Sequence, residues 1–157
     1  MRIESNGQLV MDGFDIPTIK VKYHADIEPL TKSENGDWID LRAAEDVELE
    51  AGDFKLISLG VSMKLPEGYE AHIVPRSSTF KNWGIFQTNH MGIIDNSYSG
   101  DGDIWKFPAL ATENVVIEKN SRICQFRLVK RMESIAFETV DHLDATNRGG
   151  FGSSGKM

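Results

Sequence analysis

Residues 147–155, NRGGFGSSG, set an arginine, an aromatic ring and two adjacent serines at short glycine spacings. These residue types suit a phosphate ester. Glycines let backbone N–H groups turn toward an anion, serine hydroxyls add donors, the Arg148 guanidinium matches phosphate oxygens, and Phe151 offers a flat face to a base. A Gly/Ser-rich end also reads as a flexible tail, so the segment needs support from the rest of the chain. PRSST (75–79) ends a run of alternating residues in an arginine and three hydroxyls, which can surround an anion or, equally, cap a short helix. QTNHMGIIDNSYSGDGD (87–103) gathers Asn89, Asp95 and Tyr98 around Gly92, Gly100 and Gly102, more polar chemistry than a surface hairpin needs.

Metal-cage chemistry finds little support. The aspartates of 87–103 lack the register and terminal glutamate of a calcium loop. His24, His72, His90 and His142 have no paired-ligand spacing, and Cys124, the single cysteine, can form neither an internal disulfide nor a zinc pair. A small buried residue in a reducing compartment is the expectation for Cys124. The net charge of −7 opposes broad nucleic-acid or anionic-membrane binding. An anionic ligand would need local cations, for which Arg76, Arg122 and Arg148 are candidates.

The elements that must position these residues read as β. Ile57, Leu59, Val61, Met63 and Leu65 alternate with smaller or polar residues, Pro66-Glu67-Gly68 breaks the run, and Tyr69, Ala71 and Ile73 resume it. This predicts two strands within 55–74 joined by a tight turn. Val115 and Ile117, a turn at 119–121, then Cys124, Phe126 and Leu128 repeat that plan, with Gln125 on the opposite face beside Ile123 and Val129. Shorter strands are expected at 18–23 and 47–49, and one short helix within 78–86. A chain of 157 residues is expected to form one domain, an antiparallel sandwich or jelly roll. The segment MRIESNGQLV lacks an apolar leader core and no stretch approaches the ~18 apolar residues of a membrane span, so a soluble, cytoplasmic protein is expected.

Five segments, GDWIDLRAA (36–44), PRSST (75–79), GIIDNSYSG (92–100), SRICQF (121–126) and RGGFGSSG (148–155), resemble in order and spacing the five motifs of the homotrimeric dUTPase family. The resemblance spans residues 36–155 and covers the first 35 weakly. Asp37 and Trp38 stand where the first motif usually has Ala-Gly, Ser78 where the second has Gly, and Ser154 where the fifth has Thr. The fifth motif is also two residues shorter between Arg148 and Phe151 than is usual.

The resemblance implies a distorted jelly-roll barrel of the β-clip type with one short helix. It also implies Mg2+-assisted hydrolysis of dUTP to dUMP and pyrophosphate by water attack at the α-phosphorus, which limits uracil in DNA and supplies dUMP for thymidylate synthesis. Asp95 is then the general base, a carboxylate placed by a hairpin to take a proton from the attacking water. Asn89, Gly92 and Ile94 belong to a hairpin that reads the uracil edge, and Tyr98 packs on the deoxyribose. Arg76, Ser77, Ser78 and Gln125 meet the phosphates. Arg148, Ser153 and Ser154 close over the terminal phosphate, with Phe151 and Gly152 across the base. Asp40 orients metal-bound waters or holds a strand end, and Arg122 is a structural hydrogen-bonder. No direct protein ligand to the metal is expected, because Mg2+ keeps waters and binds substrate phosphates. Residues 147–157 are expected to act as a C-terminal arm over a neighbouring subunit's site.

Two alternatives stand beside this reading. A dCTP deaminase shares the fold, but its third motif resembles Trp-Ile-Asp-Pro-Gly, where this chain has Ile93-Ile94-Asp95-Asn96-Ser97-Tyr98. A nucleotide-gated regulatory protein, of the kind some phage relatives resemble, would bind a protein partner on the same fold. Nothing in the chain opposes such a partner, although the spacing before the fourth motif is compact.

Overall fold

The computed structural model describes residues 2–3, 5, 9–11 and 14–157. Its described elements are short strands and one helix, and every strand pair is antiparallel. β1 (Arg2–Ile3), β2 (Leu9–Met11) and β3 (Phe14–Asp15) form a small sheet of their own. β4 (Lys20–Tyr23) pairs with β8 (Val61–Lys64), and β6 (Val47–Leu49) with β13 (Val115–Ile117). One three-stranded sheet runs β10 (Ile85–Gln87), β12 (Lys106–Ala111), β7 (Phe54–Ser58). The four-stranded sheet that matters most for the site runs β11 (Gly92–Ile94), β9 (Tyr69–Pro75), β14 (Arg122–Lys130), β5 (Ile39–Arg42). This is the expected all-β, jelly-roll-like architecture.

The alternation fixes which faces meet. Ile57, Leu59, Val61, Met63 and Leu65 are all buried, as are Ala71, Ile73, Phe107, Ala109 and Phe126. Inside, the Trp105 and Phe126 rings meet edge-on at 5.2 Å, a geometry that contributes about 0.5–1.5 kcal/mol beyond the area buried. Cys124 is fully buried and desolvation pushes its thiol well up, which makes it an inert core residue.

Pairing departs from the sequence expectation in an instructive way. The alternating run 57–65 is two strands, because the chain bends at Gly60 (φ 68°) and passes from the β7 sheet to the β8 sheet while keeping its apolar side inward. A Cβ at Gly60 would stand 3.1 Å from Ala44 Cβ, so only glycine fits the corner. β8 and β9 do not pair with each other, nor do β13 and β14, nor β10 and β11. Each turn is therefore a crossing between sheets rather than the tip of a hairpin, as jelly-roll connections require.

Two local readings are also corrected. Ile123 does not share the outer face with Gln125: a register shift between Arg122 and Cys124 turns both Ile123 and Cys124 inward. The helix α1 is confined to Thr79–Trp83, closed by left-handed Gly84, and residues 85–86 belong to β10.

Candidate functional site

Three neighbouring strands bring the first, second and fourth polar segments together. β5 pairs with β14 so that Asp40 lies opposite Gln125, and β14 pairs with β9 so that Gln125 lies opposite Val74, two residues before Arg76. Asp40 Oδ1 then accepts from Arg76 Nε at 2.9 Å, and Asp40 Oδ2 lies 3.3 Å from Arg122 Nη1. One carboxylate holds two guanidiniums side by side. Gln125 Nε2 donates to the Pro75 carbonyl at 3.3 Å, which places its amide in the same cluster.

The turn carrying Ser77 and Ser78 is tied from beneath by Thr79. Its buried hydroxyl accepts from the Arg76 N–H at 2.8 Å and donates to the Ile123 carbonyl at 2.9 Å. Ser78 occupies the N-cap position of α1 but makes no side-chain cap bond, so its hydroxyl is not spent on the helix. Ser77 is exposed beside it. Arginines with free donors next to uncommitted hydroxyls make a cradle for an anion with several oxygens.

A second group of site residues lies where β11 leaves its sheet. Asp95 is exposed, and its Oδ1 accepts from the Ser97 N–H at 2.7 Å and from the Ser97 hydroxyl. The Ser97 hydroxyl, then its backbone N–H, hold the Asp95 carboxyl below the ordinary aspartate range, with Arg131 adding a weaker pull. Asn96 pins the turn by donating to the Pro66 and Tyr69 carbonyls at 3.2 and 3.1 Å. Tyr98 donates its hydroxyl to the Ile104 carbonyl at 3.0 Å, which fixes a partly exposed ring. Gly92 is buried under this corner, with Ile94 half-buried beyond it, and the Asn89 amide sits exposed at the corner's start.

The two groups lie at opposite ends of one strand. β11 runs antiparallel to β9 with Gly92 opposite Ile73 and Ile94 opposite Ala71, so Asp95, the next residue after β11, lies level with Glu70. Six residues of β9 separate the levels of Asp95 and Arg76, about 20 Å of strand. Within a single chain the carboxylate and the arginine cluster do not meet.

The arm begins earlier than the glycine-rich segment suggests. β14 ends at Lys130, opposite Tyr69, and residues 131–157 run on outside any strand with their side chains exposed. Ile135, Phe137 and Leu143 lie open along this stretch, Phe137 at 92% exposure. At its end Gly150 N–H donates to Ser153 Oγ at 2.8 Å and Ser153 N–H to the Gly150 carbonyl at 3.0 Å, a tight turn that turns Phe151 fully outward. Arg148, Gly152 and Ser154 are exposed on the same arm. Ser97, Asn96 and Thr79 were not singled out in the sequence. An aspartate followed two residues later by a serine is the one local signal, since Asp accepts from the N–H two residues on in an Asx-turn.

The dUTPase family model matches residues 25–155. The chain belongs to the dUTPase family. Among relatives of this dUTPase, the SPbeta prophage-derived deoxyuridine 5′-triphosphate nucleotidohydrolase of Bacillus subtilis is 56% identical over 138 residues, covering 87% of this chain and 97% of that one. The deoxyuridine 5′-triphosphate nucleotidohydrolase of Fusobacterium nucleatum is 36% identical over 132 residues, covering 82% and 89%. The fold is shared with the crystal structure of the Streptococcus mutans dUTPase (TM-score 0.66, 21% identity, 74% of this chain and 98% of that one). It is likewise shared with the Staphylococcus bacteriophage 80alpha dUTPase (TM-score 0.71, 21% identity, 88% and 99%).

Proposed function

We propose that the chain hydrolyses dUTP to dUMP and pyrophosphate by attack of water at the α-phosphorus, in a homotrimer whose sites combine segments of different chains. The observation that carries the reading is the pair of arginines held by Asp40 beside Ser77, Ser78 and Gln125. That cluster gives a net-acidic protein the local positive charge a triphosphate needs. Asp95 is the base. As an exposed aspartate it is deprotonated at neutral pH, and its side-chain hydrogen bonds from Ser97 go to Oδ1, which leaves Oδ2 facing solvent to take a proton from water.

The separation along β9 supports the shared site. A general base works within about 3 Å of the proton it removes, and ~20 Å of strand lies between Asp95 and Arg76. A neighbour's Arg76 end placed against this chain's Asp95 end satisfies both demands. Exposed apolar surface argues the same way: Phe86, Leu110 and Phe54 line up across the open face of the β10, β12, β7 sheet, a surface a neighbouring subunit would cover. The arm, from residue 131, is long enough to reach another subunit, where Arg148, Ser153 and Ser154 would close on the terminal phosphate and Phe151 and Gly152 on the base.

Uracil recognition falls to the corner from Asn89 through Gly92 and Ile94 to Tyr98, the fixed Tyr98 ring lying under a deoxyribose and leaving no place for a 2′-hydroxyl. Mg2+ is the proposed cofactor, held by phosphate oxygens and water, and when bound it neutralises charge on the triphosphate. The donor set fits that mode of binding, since Asp40 is committed to two arginines and Asp95 offers one free oxygen. The phage phi11 dUTPase, which shares the fold at 16% identity and a TM-score of 0.69, coordinates a structural Mg(II) ion.

Pyrophosphate release from dUTP, dCTP, dTTP and UTP at equal concentration tests the reading. Release from dUTP alone, or nearly so, is expected. Comparable turnover of dCTP or UTP would overturn the base and sugar assignment, and no release from dUTP would overturn the reaction.

A further inference from the structure

Gln87, the last residue of β10, is 5% exposed and lies behind the corner that carries Asn89 and Gly92. A buried amide on the inward side of β10, the side it shares with Ile85, needs an explanation. Its Nε2 donates to the Ile73 carbonyl at 3.0 Å and to Asn89 Oδ1 at 2.9 Å. A backbone carbonyl can only accept, so the Ile73 bond fixes which end of the Gln87 amide is nitrogen. The second N–H of that nitrogen then fixes Asn89 in turn: the Asn89 oxygen must face inward and its NH2 outward. Gly92 packs closely behind this chain of bonds: a Cβ there would stand a tight 3.3 Å from Ile73 Cβ and at ordinary contact distance, 3.6 Å, from Gln87 Nε2. Gln87 Oε1 is buried with no partner, so the residue is held at an energetic cost that an apolar side chain would avoid.

We propose that Gln87 is a specificity-positioning residue, which locks the exposed Asn89 amide with its NH2 toward the ligand and so selects a carbonyl oxygen over an amino group on the pyrimidine. This rests on the proposed uracil site at the same corner. The O4 of uracil accepts from an outward NH2. The 4-amino group of cytosine presents donors to it, and the locked amide cannot turn to offer its oxygen instead. Asn89 Nδ2 has no partner among the described residues, which leaves its donors for that contact.

The test uses the full chain and measures inhibition of dUTP hydrolysis by dUDP and dCDP in the wild type, Gln87→Leu and Gln87→Glu. The wild type should favour dUDP. Gln87→Leu removes the lock, lets Asn89 turn, and should narrow the dUDP-to-dCDP ratio by about tenfold. Gln87→Glu places an acceptor against Asn89, turns its oxygen outward, and should move the ratio further toward dCDP. If the glutamate variant does not fold, the leucine variant decides alone. An unchanged ratio in folded, active variants overturns the proposal, and so does an equal weakening of both ligands, which is what a merely structural residue would give. A wild type indifferent to the two ligands would instead overturn the uracil reading on which the proposal rests.

Discussion

Asp40 Oδ1 accepts the Nε–H of Arg76 at 2.9 Å, and this bond spans the first and second polar segments of the sequence through the strand between them. Its consequence is positional. A guanidinium on a flexible stem loses rotamer freedom when it binds an anion, and a carboxylate that already holds it removes part of that loss. Because Arg122 shares the same carboxylate at 3.3 Å, the two cations stay near each other despite their repulsion.

Asp40→Asn should therefore weaken substrate binding more than it weakens the fold. The KM for dUTP is expected to rise about tenfold, as two arginines lose their common anchor. Both partners are partly exposed, so the ion pairs contribute at most about 1 kcal/mol to stability and the melting temperature should fall by no more than about 2–4 °C. Steady-state kinetics and a thermal melt on one preparation check both halves. A large fall in melting temperature with unchanged KM would return Asp40 to a strand-end role.

Legibility in the sequence followed physical range. Period-two alternation depends only on neighbours along the chain, and the inward residues of 57–65 and 71–73 were readable from it. Which strands pair depends on contacts far apart in sequence, so Ile57 to Leu65 looked like one strand although Gly60 hands it from one sheet to another. The site divides in the same way. Asp95, Tyr98, Arg76 and Gln125 stand out through residue type and motif order, whereas Gln87 and Thr79 act through buried bonds to Ile73 and Ile123 that no local pattern announces.

Asp95→Asn keeps the shape and the Ser97 contacts available to an amide oxygen but removes the base. Turnover should fall at least about 100-fold while the affinity for a nonhydrolysable dUTP analogue changes little. Parallel collapse of affinity and rate would make Asp95 a binding residue.

Ser97→Ala reports on the same carboxylate through pH. The Ser97 hydroxyl lowers the Asp95 pKa, so the wild-type base survives to lower pH and is lost only as pH falls through that depressed value. Without the hydroxyl the pKa rises toward the ordinary ~3.9, and the acid limb of kcat/KM must move to higher pH. Carboxyl-carbon NMR titration of Asp95 in the folded protein should show the same upward displacement, with Ser97→Thr restoring the wild-type position. No displacement would mean that Ser97 shapes the turn without acting on the base.

Truncation separates two parts of the arm. Removing residues 147–157 takes away Arg148, Phe151 and the two serines but none of the buried core, so assembly and melting temperature should persist while most activity is lost. Removing residues 131–157 also deletes the exposed Ile135, Phe137 and Leu143, and should weaken assembly in size-exclusion light scattering. Equal assembly in both would show that these apolar residues do not contact a neighbour.

The separation of Asp95 and Arg76 along β9 gives the sharpest test of the shared site. Asp95→Asn chains keep the arginine cluster, Arg76→Ala chains keep the base, and each variant alone should be nearly inactive. After denaturation, equal mixing and reassembly, about three quarters of trimers are mixed by random statistics. If each site takes its base from one chain and its Arg76 from a neighbour in a fixed sense, every mixed trimer holds one intact pair among three sites. Activity should then recover to about a quarter of wild type. A site built within one chain predicts no recovery at all, because every chain in the mixture lacks one of the two residues. Mixed trimers confirmed by native mass spectrometry without recovered activity would overturn the shared-site reading.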